Sequence, residues 1–131
     1  MKKLASFYCP MGKIKRYITC VSIDLIDNFA FCGTRSGDVL EVSLTKGIYS
    51  RSGPVDKKLK GAVNHVSSKF KNLYLGTSEG KLVKVDKKTL NIIGEVDFPN
   101  SSITGISTSE SKLYSITDRS VVRGVLDSAT V

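Results

Sequence analysis

Residues Ile18–Leu44 read ITCVSIDLIDNFAFCGTRSGDVLEVSL, and this stretch decides the fold. Ile18 to Leu25 is an apolar, β-branched run that alternates loosely, and Asp27-Asn28 breaks it. Phe29-Ala30-Phe31-Cys32 follows, and Gly33-Thr34-Arg35-Ser36-Gly37-Asp38 breaks that. The third run, Val39 to Leu44, puts Leu40, Val42 and Leu44 on one face and Glu41 and Ser43 on the other. Each run is of strand length, and each break is rich in residues that tolerate turn conformations. Three consecutive antiparallel strands are predicted.

The pattern returns. Leu73 to Val85 matches Ala30 to Val42 at a fixed offset, with Gly76-Thr77 on Gly33-Thr34 and Gly80 on Gly37. In G-T-x-x-G the glycines are expected to supply positive φ, and the threonine hydroxyl to bond backbone groups across the turn. A weaker copy, Leu113 to Val122, has lost both glycines and carries Asp118 where a turn is expected. Repeats about 40 residues apart have the period of four-stranded propeller blades.

The expected architecture is therefore all-β: a partial, open β-propeller of about three antiparallel WD-like blades. Its blades are predicted at about 18–61, 62–99 and 100–131, after a basic arm or outer strand over 1–17. Ile48-Tyr49-Ser50 is predicted as a short fourth strand ending by Pro54, which cannot donate a ladder bond. In the second unit the strands are expected near Ala62–Val66, Leu73–Leu75, Leu82–Val85 and Leu90–Val96. The third has Ile103–Ser107, Leu113–Ile116 and Val121–Leu126. A small closed barrel or sandwich is the alternative fold. Propellers close with four to eight blades, so three would leave the outer faces of the first and last sheets bare. Another chain, or further blades, must then complete the fold.

The 131 residues carry 20 basic and 12 acidic side chains, a net charge of +8, which favours acidic partners. Cys9, Cys20 and Cys32 form no C-x-x-C pair, and a reducing, intracellular setting is expected. The apolar run near the N-terminus, Leu4 to Cys9, is too short for a secretory core.

Gly12 to Arg16, Asp24 to Asn28, Phe29 to Thr34, Ser36 to Leu40, Gly53-Pro54-Val55 and Gly61-Ala62-Val63 follow in an order and spacing that resembles the WD-repeat family of cilia- and flagella-associated protein 52. The resemblance runs from about Cys9 to Val125 and is strongest from Lys15 to Val63. The chain departs from the general WD pattern in having no Gly-His or Trp-Asp pair and no tryptophan. The resemblance implies a structural role in motile cilia or flagella. It points to the inner wall of the axonemal doublet microtubule, with tubulin and other inner proteins as partners.

Chemistry-bearing constellations are sparse. His65 with Ser67 or Ser68 lacks the elbow and oxyanion hole of a nucleophilic triad, and Asp24 and Asp27 read as turn residues. No phosphate loop or metal-ligand spacing is present, so no enzyme activity, cofactor or metal is expected. The structural turn residues are Gly33, Thr34, Gly37, Asp38, Gly76, Thr77 and Gly80. Lys13, Lys15, Arg16, Lys57, Lys58 and Lys60 are the candidate partner contacts, against the ordinary reading of solvated loop cations. Phe70 to Tyr74 interleaves aromatics with a lysine, so a nucleic-acid-binding barrel is the second functional reading and a generic propeller interaction module the third. A quinoprotein-like propeller is disfavoured by the absence of tryptophan.

Overall fold

The computed structural model describes residues 17–98, 101–108, 112–117 and 121–125. Strands β1 (Ile18–Asp24), β2 (Phe29–Thr34), β3 (Val39–Ser43) and β4 (Ile48–Gly53) form one antiparallel sheet in chain order. Strands β5 (Val63–Lys69), β6 (Asn72–Thr77), β7 (Lys81–Asp86) and β8 (Ile92–Asp97) form the second. Strands β9 (Ile103–Thr108), β10 (Lys112–Thr117) and β11 (Val121–Val125) form the third. The fold is a portion of a propeller, as the repeats predict. The fourth strand is longer than Ile48–Ser50 and runs on to Gly53, directly before Pro54.

Turn chemistry shapes the hairpins. Asp24 Oδ1 accepts the backbone N–H groups of Ile26 (3.1 Å) and Asp27 (3.2 Å), and Asn28 takes φ 58° to enter β2. The buried Thr34 hydroxyl accepts the N–H of Ser36 at 3.2 Å and donates to the Asp38 carboxylate. Thr77 does the parallel work, its Oγ1 accepting the N–H of Lys81 at 3.0 Å. Positive φ belongs to only one glycine of each G-T-x-x-G motif, Gly37 (92°) and Gly80 (81°).

Gly33 and Gly76 serve a different purpose from the positive φ expected of them. A Cβ on Gly33 would stand 2.8 Å from Val63 Cγ1 and 2.5 Å from Cys20 Sγ. A Cβ on Gly76 would stand 2.3 Å from Ile103 Cγ2. Val63 and Ile103 open β5 and β9, and both are fully buried. Each glycine is thus a socket for the first side chain of the next sheet, and the inner strands β1, β5 and β9 lie side by side.

The main core fills the space between the first two sheets. Phe31 and Val39 meet Val63, Val66, Leu73, Leu75, Val83 and Val85 there. Leu59, a lone apolar residue in a lysine run, is also buried in it. Between the second and third sheets, Tyr74 and Leu82 pack with Val96, Phe98 and Ile106.

The outer face of the first sheet is bare only in part. Ladder pairing places Val21, Cys32 and Leu40 in one row and Ile23, Ala30 and Val42 in the next. Ala30, Leu40 and Val42 are buried, whereas Ile18 (49%), Val21 (59%) and Ile23 (56%) are exposed. The open strip is therefore confined to β1.

Replacing Gly76 by Ala should destabilise the chain by about 3 kcal/mol, the upper end of ordinary overpacking penalties. Gly33→Ala should cost less, because its nearest obstacle is the rotatable Cys20 side chain. Equilibrium urea unfolding of the two variants tests the ranking.

Candidate interaction site

Two polar clamps join the first sheet to the second. The Lys87 ammonium, in the β7–β8 turn, lies 2.6 Å from Asp24 Oδ2 at the end of β1. Both side chains are largely buried, and Ser68 Oγ also reaches Asp24 Oδ2 at 3.5 Å. Beside this pair, Arg51 of β4 grips Glu41 of β3 with Nε (3.0 Å) and Nη2 (3.2 Å). The same guanidinium donates to the carbonyls of Lys87 (2.5 Å) and Lys88 (2.7 Å). One turn of the second sheet is thus held by Asp24 and by the Glu41–Arg51 pair of the first. Burial pushes the Asp24 carboxyl up. The Lys87 hydrogen bond and charge, with the N–H groups of Asp27 and Ile26, outweigh it and hold the carboxyl below its ordinary value.

Asp24 therefore does more than terminate a strand, although Asp27 remains exposed in the turn. His65 and Ser68 fall on opposite faces of β5, His65 opposite Gly76 and Ser68 opposite Leu73. Among the described residues no group of three or more His, Cys, Asp or Glu could hold a metal ion. No helix among them is long and apolar enough to cross a membrane. Cys20 and Cys32 carry no disulfide and lie on opposite faces of the first sheet.

A cleft of about 580 Å³ opens beside the clamps, lined by Phe29, Phe31, Glu41, Arg51, Phe70 and Lys87. Its rim continues into a patch of which the sequence reading singled out only Phe70 and Lys71. Leu25 (78%) and Ile26 (91%) project from the β1–β2 turn, and Phe70 (66%) from the β5–β6 turn. Ile23, Leu25, Ile26, Lys69 and Phe70 line one shared depression. The Lys69 ammonium stands 5.0 Å from the Phe70 ring, and Lys71 is exposed beside it. Phe70 has φ 53°, a left-handed conformation that bulky residues rarely adopt. Nothing in the linear pattern flags that strain; the apolar pair Leu25-Ile26 beside a turn was the available signal.

Lys57, Lys58 and Lys60 lie on the strap between β4 and β5, around the buried Leu59, and all three are exposed. Lys57 is committed within the chain, its ammonium 3.1 Å from Glu95. Lys13, Lys15 and Arg16 lie outside the described residues, as does Asp118. Tyr74 is buried between the second and third sheets, which removes it from any stacking platform with Phe70.

No protein-family model matches the chain. It is 36% identical to cilia- and flagella-associated protein 52 of Chlamydomonas reinhardtii over 52 residues, which are 40% of this chain and 8% of that protein. It is 26% identical to the Sus scrofa protein of the same name over 107 residues, 81% of this chain and 17% of that one. The chain is a distant homologue of these proteins and spans a small part of their length. Among solved structures, the RRP9 WD40 repeats superpose with TM-score 0.77 at 18% identity, covering 88% of this chain and 37% of that one. A chain of the mitotic checkpoint complex gives TM-score 0.77 at 19% identity, covering 87% and 35%. The fold is thus a partial WD40-type propeller.

Lys87→Met should lower stability near neutral pH by about 2 kcal/mol, the scale of a hydrogen bond to a charged group. Because the folded-state pKa of Asp24 is depressed, its contribution is complete above the ordinary carboxylate range and lost as pH falls through the folded value. Unfolding midpoints followed downward from pH 6 should converge for the parent chain and Lys87→Met. Separately, Phe70→Asn should raise stability by about 1 kcal/mol by relieving the left-handed aromatic; urea unfolding measures it.

Proposed function

We propose that this chain is part of a non-enzymatic WD-repeat scaffold of the ciliary or flagellar axoneme. In this reading it binds the inner wall of doublet microtubules and contacts tubulin and other inner proteins. The observation that carries the proposal is the distant homology to cilia- and flagella-associated protein 52 in an alga and in mammals. Two surface features support it. The net charge of +8 suits an acidic partner, and tubulin surfaces are acidic. The patch of Leu25, Ile26 and Phe70 beside Lys69 and Lys71 joins desolvable apolar area to positive charge, a combination suited to protein docking. The Asp24–Lys87 pair and the Arg51 bonds to the Lys87 and Lys88 carbonyls join two sheets, which is the work of a scaffold.

Co-sedimentation of the full-length protein with isolated doublet microtubules tests the reading. The protein should pellet with them, and the double variant Lys69→Glu/Lys71→Glu should weaken retention at least tenfold. Lys58→Glu/Lys60→Glu reports whether the strap contributes as well. Retention on single-stranded DNA that falls steeply with salt, without microtubule binding, would overturn the proposal in favour of nucleic-acid recognition.

A further inference from the structure

The β5–β6 turn is built against its own stability. Phe70 holds φ 53° there and keeps 66% of its surface exposed. The β1–β2 turn also needs a left-handed residue and uses Asn28, at φ 58°. Asparagine tolerates that region, whereas an aromatic side chain enters it at a cost, and Phe70 gains no burial to offset the cost. Strain of this kind is a pointer to a contact made outside the chain. The ring stands where such a contact is available. Phe70 lines two depressions at once: one shared with Leu25, Ile26 and Lys69, the other the cleft of about 580 Å³ beside the clamps.

Charge around the ring is one-sided. Three of the carboxylates along these depressions are committed within the chain. Asp24 holds Lys87, Glu41 holds Arg51, and Asp86 Oδ1 accepts the N–H groups of Lys88 (2.7 Å) and Thr89 (3.3 Å). Asp27 is the exposed acid that remains. The ammonium groups of Lys69, Lys71 and Lys88 have no carboxylate partner among the described residues. Lys69 Nζ lies 5.0 Å from the Phe70 ring centroid, and Lys71 and Lys88 line the cleft. Apolar side chains and unpaired cations thus share one surface, while the acids nearby are already used.

We infer that this surface docks a short acidic segment of a separate protein, one that carries an apolar side chain among its carboxylates. The apolar side chain packs on Phe70, Leu25 and Ile26, and the flanking carboxylates meet Lys69, Lys71 and Lys88. This docking chemistry rests on the scaffold reading above and specifies what the scaffold holds at this patch. A second copy of the chain does not fit, because face-to-face pairing would set these lysines against themselves in a chain of net charge +8. A nucleic-acid strand would meet one exposed ring and two aliphatic side chains where it needs successive stacking platforms. An anionic lipid surface would meet the projecting side chains but leave the concave cleft behind them unfilled.

The test is fluorescence anisotropy of the full-length protein with a fluorescein-labelled peptide, Glu-Asp-Glu-Leu-Phe-Glu-Asp-Glu. The protein should bind this peptide, and less tightly as salt rises. Counterparts with Lys for the acids, or with Ser-Ser for Leu-Phe, should bind about tenfold more weakly or not at all. Phe70→Asn should weaken binding about tenfold while the urea midpoint rises, which a merely structural role for the ring would not produce. Lys71→Glu/Lys88→Glu should weaken it at least as much. No binding, equal binding of either counterpart, or binding undiminished by Phe70→Asn would overturn the proposal. So would retention on phosphatidylserine vesicles or single-stranded DNA that Phe70→Asn abolishes. Co-sedimentation with doublet microtubules separates the two readings. A protein that pellets with doublets but ignores the peptide sinks the acidic-segment site alone. One that binds the peptide through Phe70 but leaves doublets in the supernatant sinks the axonemal reading and upholds the site.

Discussion

A missing Cβ governs the assembly of this chain. Sheets stacked around an axis come closest at their inner strands, and at that point two side chains cannot share the space. Gly33 and Gly76 resolve the conflict by yielding to Val63 and Ile103. Everything farther from the axis follows from the spacing this sets. Phe31, Leu73, Leu75 and Val83 fill the widening gap between the first two sheets, and Tyr74 with Leu82 fills the next one. A methyl group at either socket would push apart not one contact but the whole wedge behind it.

Around the β7–β8 turn apolar packing gives way to charge. The Asp24–Lys87 pair and the Glu41–Arg51 fork both end on the same β7–β8 turn. Each cation lies within reach of its acid, and the Arg51 guanidinium also satisfies carbonyls that the Lys87-Lys88 backbone turns toward it. Such pairs add less net stability than the core, because Asp24, Lys87 and Glu41 give up solvent to form them. Their effect is directional: they fix how the second sheet is rotated against the first, which apolar contacts alone do poorly. The cleft beside them keeps one face of this junction open to solvent.

The strands were legible in the sequence because period-two alternation and turn residues are local signals. β1 to β11 follow the apolar runs, except that Leu90, expected to open the eighth strand, lies in the turn before it at φ 60°; Pro54 marks the end of β4. What was not legible is what depends on distance along the chain. Asp24 and Lys87 are brought together by the stacking of two sheets, and nothing around either residue announces the other. Leu59 looks like an interruption in a basic loop, yet it is buried and anchors the strap that carries Lys57, Lys58 and Lys60. Gly33 and Gly76 were singled out for the right positions and the wrong reason. A glycine needed for close approach and one needed for positive φ look alike in one dimension. Phe70 was read for its aromatic ring, while its informative property is its backbone conformation.

Exposure on the first sheet is uneven. In a stack built from nearest-neighbour interfaces, each sheet carries a complete docking face whether or not a neighbour is present. The outer face of the first sheet repeats the second sheet's apolar rows, with Ala30, Leu40 and Val42 at the positions of Leu73, Val83 and Val85. Those outer rows are buried, and the strip next to the axis is open. In the second and third sheets the matching residues, Val63 and Ile103, enter the glycine sockets of the sheet before. The solvent-accessible part of the face is thus the part that carries the most geometric information about its complement.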